Sequence, residues 1–348
     1  MSGKEGNKRE SVCHTGGLRQ LSSMDPDVRL VRPITVSIYP VDRHGLIRRT
    51  AALGSGFCDN ELSAAVKRGE LIRLIPGVFV ENGTRFAGHE GRQELHRLKS
   101  LAAATSALTV RDDVPLSHSS AASVLGVPLL KPDLSHVHFV TGSPSGGSIK
   151  TFRHLHAAAI DADEVVEVDG IAVTCLERMA ADVAVCGTFA QALVVMDQAR
   201  RAGADAEMIG TILERRRRRG VRTARRALLL SDPASESVGE SWSRAQMIEA
   251  GLPIPRLQHE FHIRDKTYES DFDWDERLIG EFDGLTKYGR LLEPGDTPED
   301  AVVREKRRED DLRGEGAMVV RWVWAELEQR QVVEKLTPWL TKYGLMVA

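Results

Sequence analysis

The sequence predicts a multidomain protein of the α+β and α/β classes, with a winged helix-turn-helix, a mixed α/β middle domain and a C-terminal mixed-sheet domain. Three observations carry this prediction. Two helical stretches separated by a glycine-containing break precede an apolar hairpin between residues 34 and 85. Helical and strand patterns alternate from 86 to 205, and residues 233–348 have the pattern of a helix, three strands, a helix and a strand.

The first 33 residues are polar and predict a disordered tail, without the apolar core of a secretion signal. Met24 is an alternative start to Met1. No apolar run reaches the roughly 18 residues that a membrane helix needs. The four cysteines form no CxxC pair and fit a reducing compartment. We therefore expect a cytoplasmic protein with no membrane partner.

Residues 34–85 are predicted to form the winged helix-turn-helix. "HGLIRRTAAL" is a first helix, "CDNELSAAVKRGEL" a second with Asp59 as its N-cap, and "LIRLIPGVFV" the wing. Alone, the second helix is more typical of an ordinary solvated face, but the hairpin after it favours major-groove binding. The candidate DNA contacts are Arg48, Arg49, Asn60, Ser63, Lys67, Arg68 and Arg73.

The middle region, residues 86–205, is predicted to be a structural or partner-binding α/β domain. Its "HVH" and "HLH" stretches alternate with apolar residues, and no acid or cysteine completes a tetrahedral metal site. We therefore interpret its histidines as polar strand faces: His118, His136, His138, His154 and His156.

Residues 206–232 are predicted to form a basic helical connector. Two interpretations stay open: a solvated linker helix, or a surface that follows DNA phosphates and gains affinity from counterion release. The candidate contacts are Arg215, Arg216, Arg217, Arg218 and Arg219.

The stretch "ESDFDWDERLIGEFDG" (269–284) places acids at alternating positions of two predicted strands, and therefore on one face. Such crowding costs stability unless a cation holds the carboxylates, and Mg²⁺ prefers oxygen ligands. A Mg²⁺ or Mn²⁺ ion between Asp271 and Glu281 would polarise a phosphodiester and lower the pKa of a bound water. The candidate catalytic residues are Glu240, Asp271, Glu281 and Lys287, with Asp273, Asp283 and Lys306 as possible auxiliaries.

The last third of the chain resembles the PD-(D/E)XK nuclease superfamily, closest to the branch of very-short-patch-repair (Vsr) endonucleases. The resemblance is carried by Glu240, "SDF" with Asp271, "GEFDG" with Glu281, a charged helix and "VVRW". It implies a metal-dependent DNA-cleaving fold in which Asp271 and Glu281 bind the metal and Glu240 assists. The superfamily's lysine, two residues after the glutamate, is here Asp283. In this branch E-x-D-G is the usual form, and Lys287 stands where histidine often follows.

Residues from about 40 to 200 are similar to AbiEi-type antitoxins of type IV toxin–antitoxin systems. The stretches that carry the similarity are "AALGSGFCDNELSAAVKRGELIRLIPGVFV", "SHSSAASVLGVPLL" and "VTCLERMAADVAVCG". The similarity implies DNA binding by residues 58–68, autoregulation and a nucleotidyltransferase-type toxin as partner.

Two functions are therefore expected as alternatives, both with double-stranded DNA as partner. The first is a DNA-binding protein with a Mg²⁺-dependent endonuclease domain, of toxin–antitoxin or defence type. The second is a non-catalytic antitoxin or transcriptional repressor that keeps a retired nuclease fold.

Overall fold

The computed structural model describes residues 37–106, 114–216, 219–284 and 298–346. Several small sheets and many helices give the mixed α and β content that the sequence predicts. Within these ranges no helix is both long enough and apolar enough to cross a membrane.

The N-terminal segment (residues 39–86) has the two helices and the hairpin predicted for residues 34–85, but the helix predicted over "HGLIRRTAAL" is wrong at its start, because Ile47 and Arg48 form a short strand that pairs with the hairpin. It contains β1 (Ile47–Arg48), α1 (Arg49–Gly54), α2 (Asp59–Lys67), β2 (Leu71–Ile75) and β3 (Val78–Glu81), in a sheet of order β1-β3-β2. The predicted cap at Asp59 is wrong, because α2 is capped at Cys58, whose N–H donates to Glu61 Oε2 at 2.7 Å. Asp59 instead forms an ion pair with Arg49.

Two apolar clusters fix this segment. One is internal, where Leu62 and Ala65 of α2 pack on Phe79 of β3. Residues on the other face of the hairpin, Leu74 and Val80 among them, belong to the large core of the middle segment. The exposed side of α2 is therefore held at a fixed orientation to the rest of the fold.

The middle segment (residues 87–232) surrounds that large core. Its β-structure is a sheet of order β4-β6-β5, with β4 and β6 parallel, and a β7–β8 hairpin. The elements are α3 (Gly88–Ala104), α4 (His118–Leu125), β4 (Val137–Gly142), β5 (Ser148–Lys150), β6 (Arg153–Ala159), β7 (Val165–Val168), β8 (Ile171–Thr174), α5 (Leu176–Cys186) and α6 (Phe189–Arg201).

The region predicted as a connector contains two helices, α7 (Ala206–Glu214) and α8 (Val221–Leu230). Their apolar faces, with Ile212 and Ala224, are buried in the large core against α5 and α6. The stretch is therefore an integral part of the middle segment, and not a single solvated helix. The amphipathic spacing on both sides of Gly220 explains this, since each helix has its own apolar face to bury.

The C-terminal segment (residues 233–346) begins with the predicted order of helix, three strands, helix and strand. It contains α9 (Val238–Glu249), β9 (Arg256–Ile263), β10 (Lys266–Trp274), β11 (Leu278–Asp283), α10 (Pro298–Gly314), β12 (Met318–Val323), α11 (Trp324–Glu328) and α12 (Val332–Lys342). Strands β9, β10 and β11 form an antiparallel meander, and β12 pairs parallel with β11. The strand predicted over "AMVVRWVWAEL" is too long, because Trp324 begins α11.

Helices cover both faces of this sheet. One face, with Phe282 and Trp322, packs on α9, α11 and α12. The other, with Ile279, packs on Leu312 of α10. At Gly239 a Cβ would stand 2.0 Å from the Phe282 ring. This close approach brings the start of α9, with its acid, beside β11.

Candidate functional site

Asp271 of β10 and Glu281 of β11 occupy facing positions at the end of a strand pair. The ladder pairs Phe272 with Gly280, so the next position along places the two acids opposite one another. Asp271 is half-buried and Glu281 is buried. The Phe282 N–H donates to Asp271 Oδ2 at 2.7 Å. The carboxylate of Asp271 is thus directed across the strands at β11.

Glu281 is held by two arginines that the sequence analysis did not select. Arg308 of α10 donates to both of its carboxylate oxygens, through Nη1 to Oε2 at 3.0 Å and through Nη2 to Oε1. Arg321 of β12, the register partner of Glu281, donates from Nε to Oε2 at 3.2 Å. A second bond, from Arg321 Nη1 to Glu309 Oε2, measures 2.7 Å. The candidate site therefore combines acids with guanidinium groups.

Glu240, the third predicted acid, lies in the first turn of α9 and is buried. It accepts from the Glu236 N–H at 2.7 Å and from Ser237 Oγ at 2.8 Å, while Ser237 Oγ accepts the Glu240 N–H. Ser237 thus caps α9, and Glu240 accepts the N–H of the residue before the cap, so both bonds stabilise the start of the helix. The cap gives this acid a structural role.

Gln258 connects Glu240 to the strands. Its Nε2 donates to Glu240 Oε2 at 3.1 Å, and its backbone has a φ of +48°, unusual for a residue that is not glycine. It lies where β9 would pair with Asp271, between the pairs Ser270–His259 and Phe272–Leu257. A backbone conformation of this kind costs on the order of 1 kcal/mol and is more frequent at functional sites than elsewhere.

The remaining acidic and lysine candidates differ in their surroundings. Asp273 is fully buried, accepts from Arg256 Nε at 2.8 Å and caps the β10–β11 turn through the Glu276 N–H, so its role is structural. Asp283 is half-buried at the end of β11, and Lys306 is exposed on α10. Lys287 lies outside the described residues.

The donor set of Asp271 and Glu281 suits Mg²⁺, because carboxylate oxygens are its preferred ligands. Both oxygens of Glu281 already take part in ion pairs, however. Within the described residues, the acids of this site do not gather as a group of three metal-ligand atoms. Mg²⁺ would therefore compete with Arg308 and Arg321 for Glu281.

The predicted DNA contacts on α2 differ in their partners. Asn60 and Lys67 are exposed and Ser63 is half-buried, so the outward face of the helix is polar as predicted. Arg68 forms an exposed ion pair with Glu70 at 2.7 Å. Exposed pairs of this kind contribute about 1 kcal/mol or less, so such an arginine can exchange its partner readily.

The remaining arginines of the N-terminal segment have internal contacts. Arg48 donates to Asp42 Oδ2 at 3.0 Å and to Thr105 Oγ1 at 2.7 Å, which connects the start of α1 to the end of α3. Arg49 makes an exposed pair with Asp59, and Arg73 lies over the Phe79 ring. Arg48 is accordingly a structural residue in this fold.

The basic stretch after α7 is also partly neutralised. Arg215 pairs with Asp161, and Arg216 pairs with the buried Asp182. Arg219 is exposed, whereas Arg217 and Arg218 lie outside the described residues. The described part of this stretch therefore has fewer arginines available for DNA phosphates than the basic sequence predicts.

Comparison with known proteins finds no matching family model. Two uncharacterized proteins of Mycobacterium tuberculosis, MT2308 of strain CDC 1551 / Oshkosh and Rv2248 of strain ATCC 25618 / H37Rv, are each 35% identical to this chain over 136 residues. The match covers 34% of this chain and 50% of each relative, so the chain spans about half the length of the curated relatives it matches.

Proposed function

We propose that this chain binds double-stranded DNA through an N-terminal winged helix and hydrolyses phosphodiester bonds in its C-terminal segment, in a toxin–antitoxin or defence setting. The observation that carries the proposal is the placement of Asp271 opposite Glu281, with Arg308 and Arg321 bound to Glu281. Phosphodiester cleavage needs oxygen donors for a divalent ion and positive groups for the developing charge.

The helix, three strands, helix and strand of the C-terminal segment also support this proposal, since the same order carries the resemblance to Vsr-like nucleases. When bound by Asp271 and Glu281, Mg²⁺ or Mn²⁺ would polarise a phosphate oxygen and lower the pKa of a coordinated water. Glu240 then contributes by capping α9 and by accepting from Gln258 Nε2, which joins the start of α9 to β9.

Arg308 and Arg321 have a specific part in this proposal. A guanidinium matches a phosphate as well as it matches a carboxylate, because its parallel N–H groups bind either one through two oxygens. An incoming DNA phosphate therefore competes with Glu281 for the two arginines. Exchange of these partners frees the carboxylate of Glu281 at the moment when the backbone of the DNA arrives.

Plasmid nicking by the purified full-length protein tests the cleavage proposal. We expect nicking with Mg²⁺ or Mn²⁺, and a loss on the order of a hundredfold in Asp271→Asn and in Glu281→Gln. Asp275→Asn is the matched control, because Asp275 is an exposed acid in the neighbouring β10–β11 turn. If neither ion supports nicking, or if the two site variants cut as fast as the control, the cleavage proposal is wrong.

The second candidate function is a repressor or antitoxin whose nuclease-like segment does not cut. The observation that favours it is that Glu281 is neutralised by Arg308 and Arg321, while Glu240 is used by a helix cap. The acids then stabilise the fold and have no need of a metal. A nucleotidyltransferase-type toxin is the expected protein partner in this case.

Binding to the chain's own promoter, measured by gel shift at several salt concentrations, separates the two functions. A repressor without nuclease activity should bind the promoter DNA with the same affinity when a chelator is added and when Glu281 is replaced by Gln. Both functions predict that Lys67→Ala weakens binding and lowers the salt slope by about one. Glu70→Gln, on the neighbouring turn, is the charge-changing control and should not lower the slope. Binding that is independent of Lys67 would remove α2 from the DNA interface.

A further inference from the structure

Four imidazole rings gather at one place in the middle segment, although they come from three separate elements. His118 is the first residue of α4, His138 lies in β4, and His154 and His156 lie two residues apart in β6. The parallel pairing of β4 with β6 sets His138 beside His154. The rings of His118 and His156 stack at a centroid distance of 3.8 Å, and those of His154 and His156 at 3.7 Å.

Three of these side chains turn ring nitrogens towards one another. The ligand nitrogens of His118, His138 and His156 all lie within 4.8 Å of each other, and His138 Nδ1 is 2.8 Å from His156 Nε2. Zinc–nitrogen bonds of about 2.0–2.1 Å in a tetrahedral site place neighbouring nitrogens roughly 3.3 Å apart. Side-chain rotations that separate the stacked rings would bring all three nitrogens onto one ion.

The backbone around His118 is arranged to present its ring at this place. Its φ of +50° is the left-handed conformation, which costs a residue other than glycine about 1–2 kcal/mol. Strand-like bonds hold it there, since the Ser117 N–H donates to the His138 carbonyl at 2.9 Å. Ser117 Oγ lies 3.0 Å from His118 Nδ1, so the other nitrogen, Nε2, is left for the cluster. Strain that surrounding bonds maintain in this way is typical of binding sites.

The charges beside the cluster balance. Asp182 pairs with Arg178 and Arg216, and Arg178 also pairs with the buried Glu164, so that two carboxylates neutralise two guanidinium groups. Neutral imidazole is the form in which histidine binds metals, and it leaves this charge balance unchanged.

We propose that His118, His138 and His156 form a binding site for a transition metal ion, and that the ion is Zn²⁺. Neutral imidazoles suit zinc, copper and nickel, whereas Mg²⁺ requires oxygen ligands, so this site is distinct from the acids of the C-terminal segment. Three protein ligands leave a fourth position for water or for a group from a bound partner. The ion joins the start of α4 to β4 and β6.

Zinc titration of the untagged full-length protein, after removal of bound metal with a chelator, tests this proposal. Calorimetry should show about one Zn²⁺ per chain, and a large excess of Mg²⁺ should not displace it. His138→Gln and His156→Gln should each lower the affinity by at least about tenfold. His89→Gln is the matched control, because His89 is exposed on α3. Unchanged affinity in both site variants would overturn the proposal.

A second measurement needs no variant, so it stays decisive if the substituted proteins fail to fold. X-ray absorption of the zinc-loaded wild-type protein reports the ligands directly. The proposed site predicts three imidazole ligands and a single further oxygen or nitrogen at tetrahedral distances. A first shell of mainly carboxylate oxygens, or no zinc retained after dialysis, would show that the histidines only pack on one another.

Discussion

Substitution of Glu281 by Gln changes the free energy of unfolding. The sign of the change depends on whether Glu281 is mainly repelled by Asp271 or mainly attracted by arginines. If Glu281 mainly repels Asp271 while it awaits a metal, removal of its charge stabilises the metal-free protein, by up to about 1 kcal/mol for like charges in facing strand positions. If it mainly attracts Arg308 and Arg321, removal of the charge destabilises the protein. The two ion pairs of Glu281 predict destabilisation.

The magnitude follows from the burial of the three groups. The Glu281 side chain is 6% exposed, whereas those of Arg308 and Arg321 are 19% and 26% exposed. Removal of one partner from a buried ion pair costs about 3–5 kcal/mol, and from an exposed pair about 1 kcal/mol or less. The arginines keep partial access to water, so we expect Glu281→Gln to lower the free energy of unfolding by about 2 kcal/mol.

Urea unfolding followed by tryptophan fluorescence is the assay, because all five tryptophans of the chain lie in the C-terminal segment. They are Trp242, Trp274, Trp322, Trp324 and Trp339. The signal therefore reports on the part of the fold that contains Glu281. An unchanged slope with denaturant will show that the midpoint shift is a change in stability.

A double-mutant cycle with Arg308→Met isolates the pair. We expect a coupling free energy of about 1–2 kcal/mol between the two substitutions, since each removes the same interaction. Asp271→Asn should cost less than Glu281→Gln, because the asparagine carbonyl can still accept the Phe282 N–H. A Glu281→Gln protein as stable as the wild type, or more stable, would refute the reasoning from the ion pairs.

Two further predictions concern packing and pH. Gly239→Ala should cost about 1–3 kcal/mol, because its Cβ would meet the Phe282 ring at 2.0 Å, while Gly314→Ala, in the same segment and with open space around it, should be neutral or stabilising in the same urea assay. Burial lowers the pKa of His96 to about 4. Below about pH 6.5 the unfolded chain therefore binds a proton at this histidine, whereas the folded chain does not bind it until the pH falls to about 4. This residue should therefore lower stability by about 2 kcal/mol between neutral pH and about pH 5, and His96→Gln should reduce that pH dependence by about one proton. If the free energy of unfolding of the wild type and of His96→Gln depends on pH in the same way, the second prediction is contradicted.

The order of elements could be predicted from the sequence because it depends on local periodicity. Alternation in "YESDFDW" and "RLIGEFDG" indicated strands, and β10 and β11 are there. Element ends were less predictable. Two further apolar residues, Trp324 and Ala325, follow Val323, but Trp324 packs as the start of a helix beside Trp242. The local signal at that boundary is Glu326, whose Oε2 accepts the Val323 N–H at 3.0 Å at the start of the helix.

The partners of Glu281 show why the candidate site was only partly predictable. Arg321 interrupts an otherwise apolar strand, and a charge in a buried strand is a usable signal of a polar partner. Arg308 has no such signal, because it is one of many charged residues in "REKRREDDLR". Only the packing of α10 on the sheet selects it. The histidine cluster was missed for a similar reason, since it depends on the parallel pairing of β4 with β6.

The density of acids around residue 271 is by itself weak evidence for a metal. Asp273 has Arg256, Glu281 has two arginines and Asp271 has a backbone N–H, so the repulsion is offset without any ion. What still favours chemistry on a phosphodiester is that arginines offset the repulsion between these acids. An arginine that holds a carboxylate is also a phosphate-binding group, and a half-buried one gives up its partner at moderate cost. The same ion pairs that stabilise the metal-free protein would thus prepare both halves of a site for DNA, with guanidinium groups for the phosphate and carboxylates for the cation.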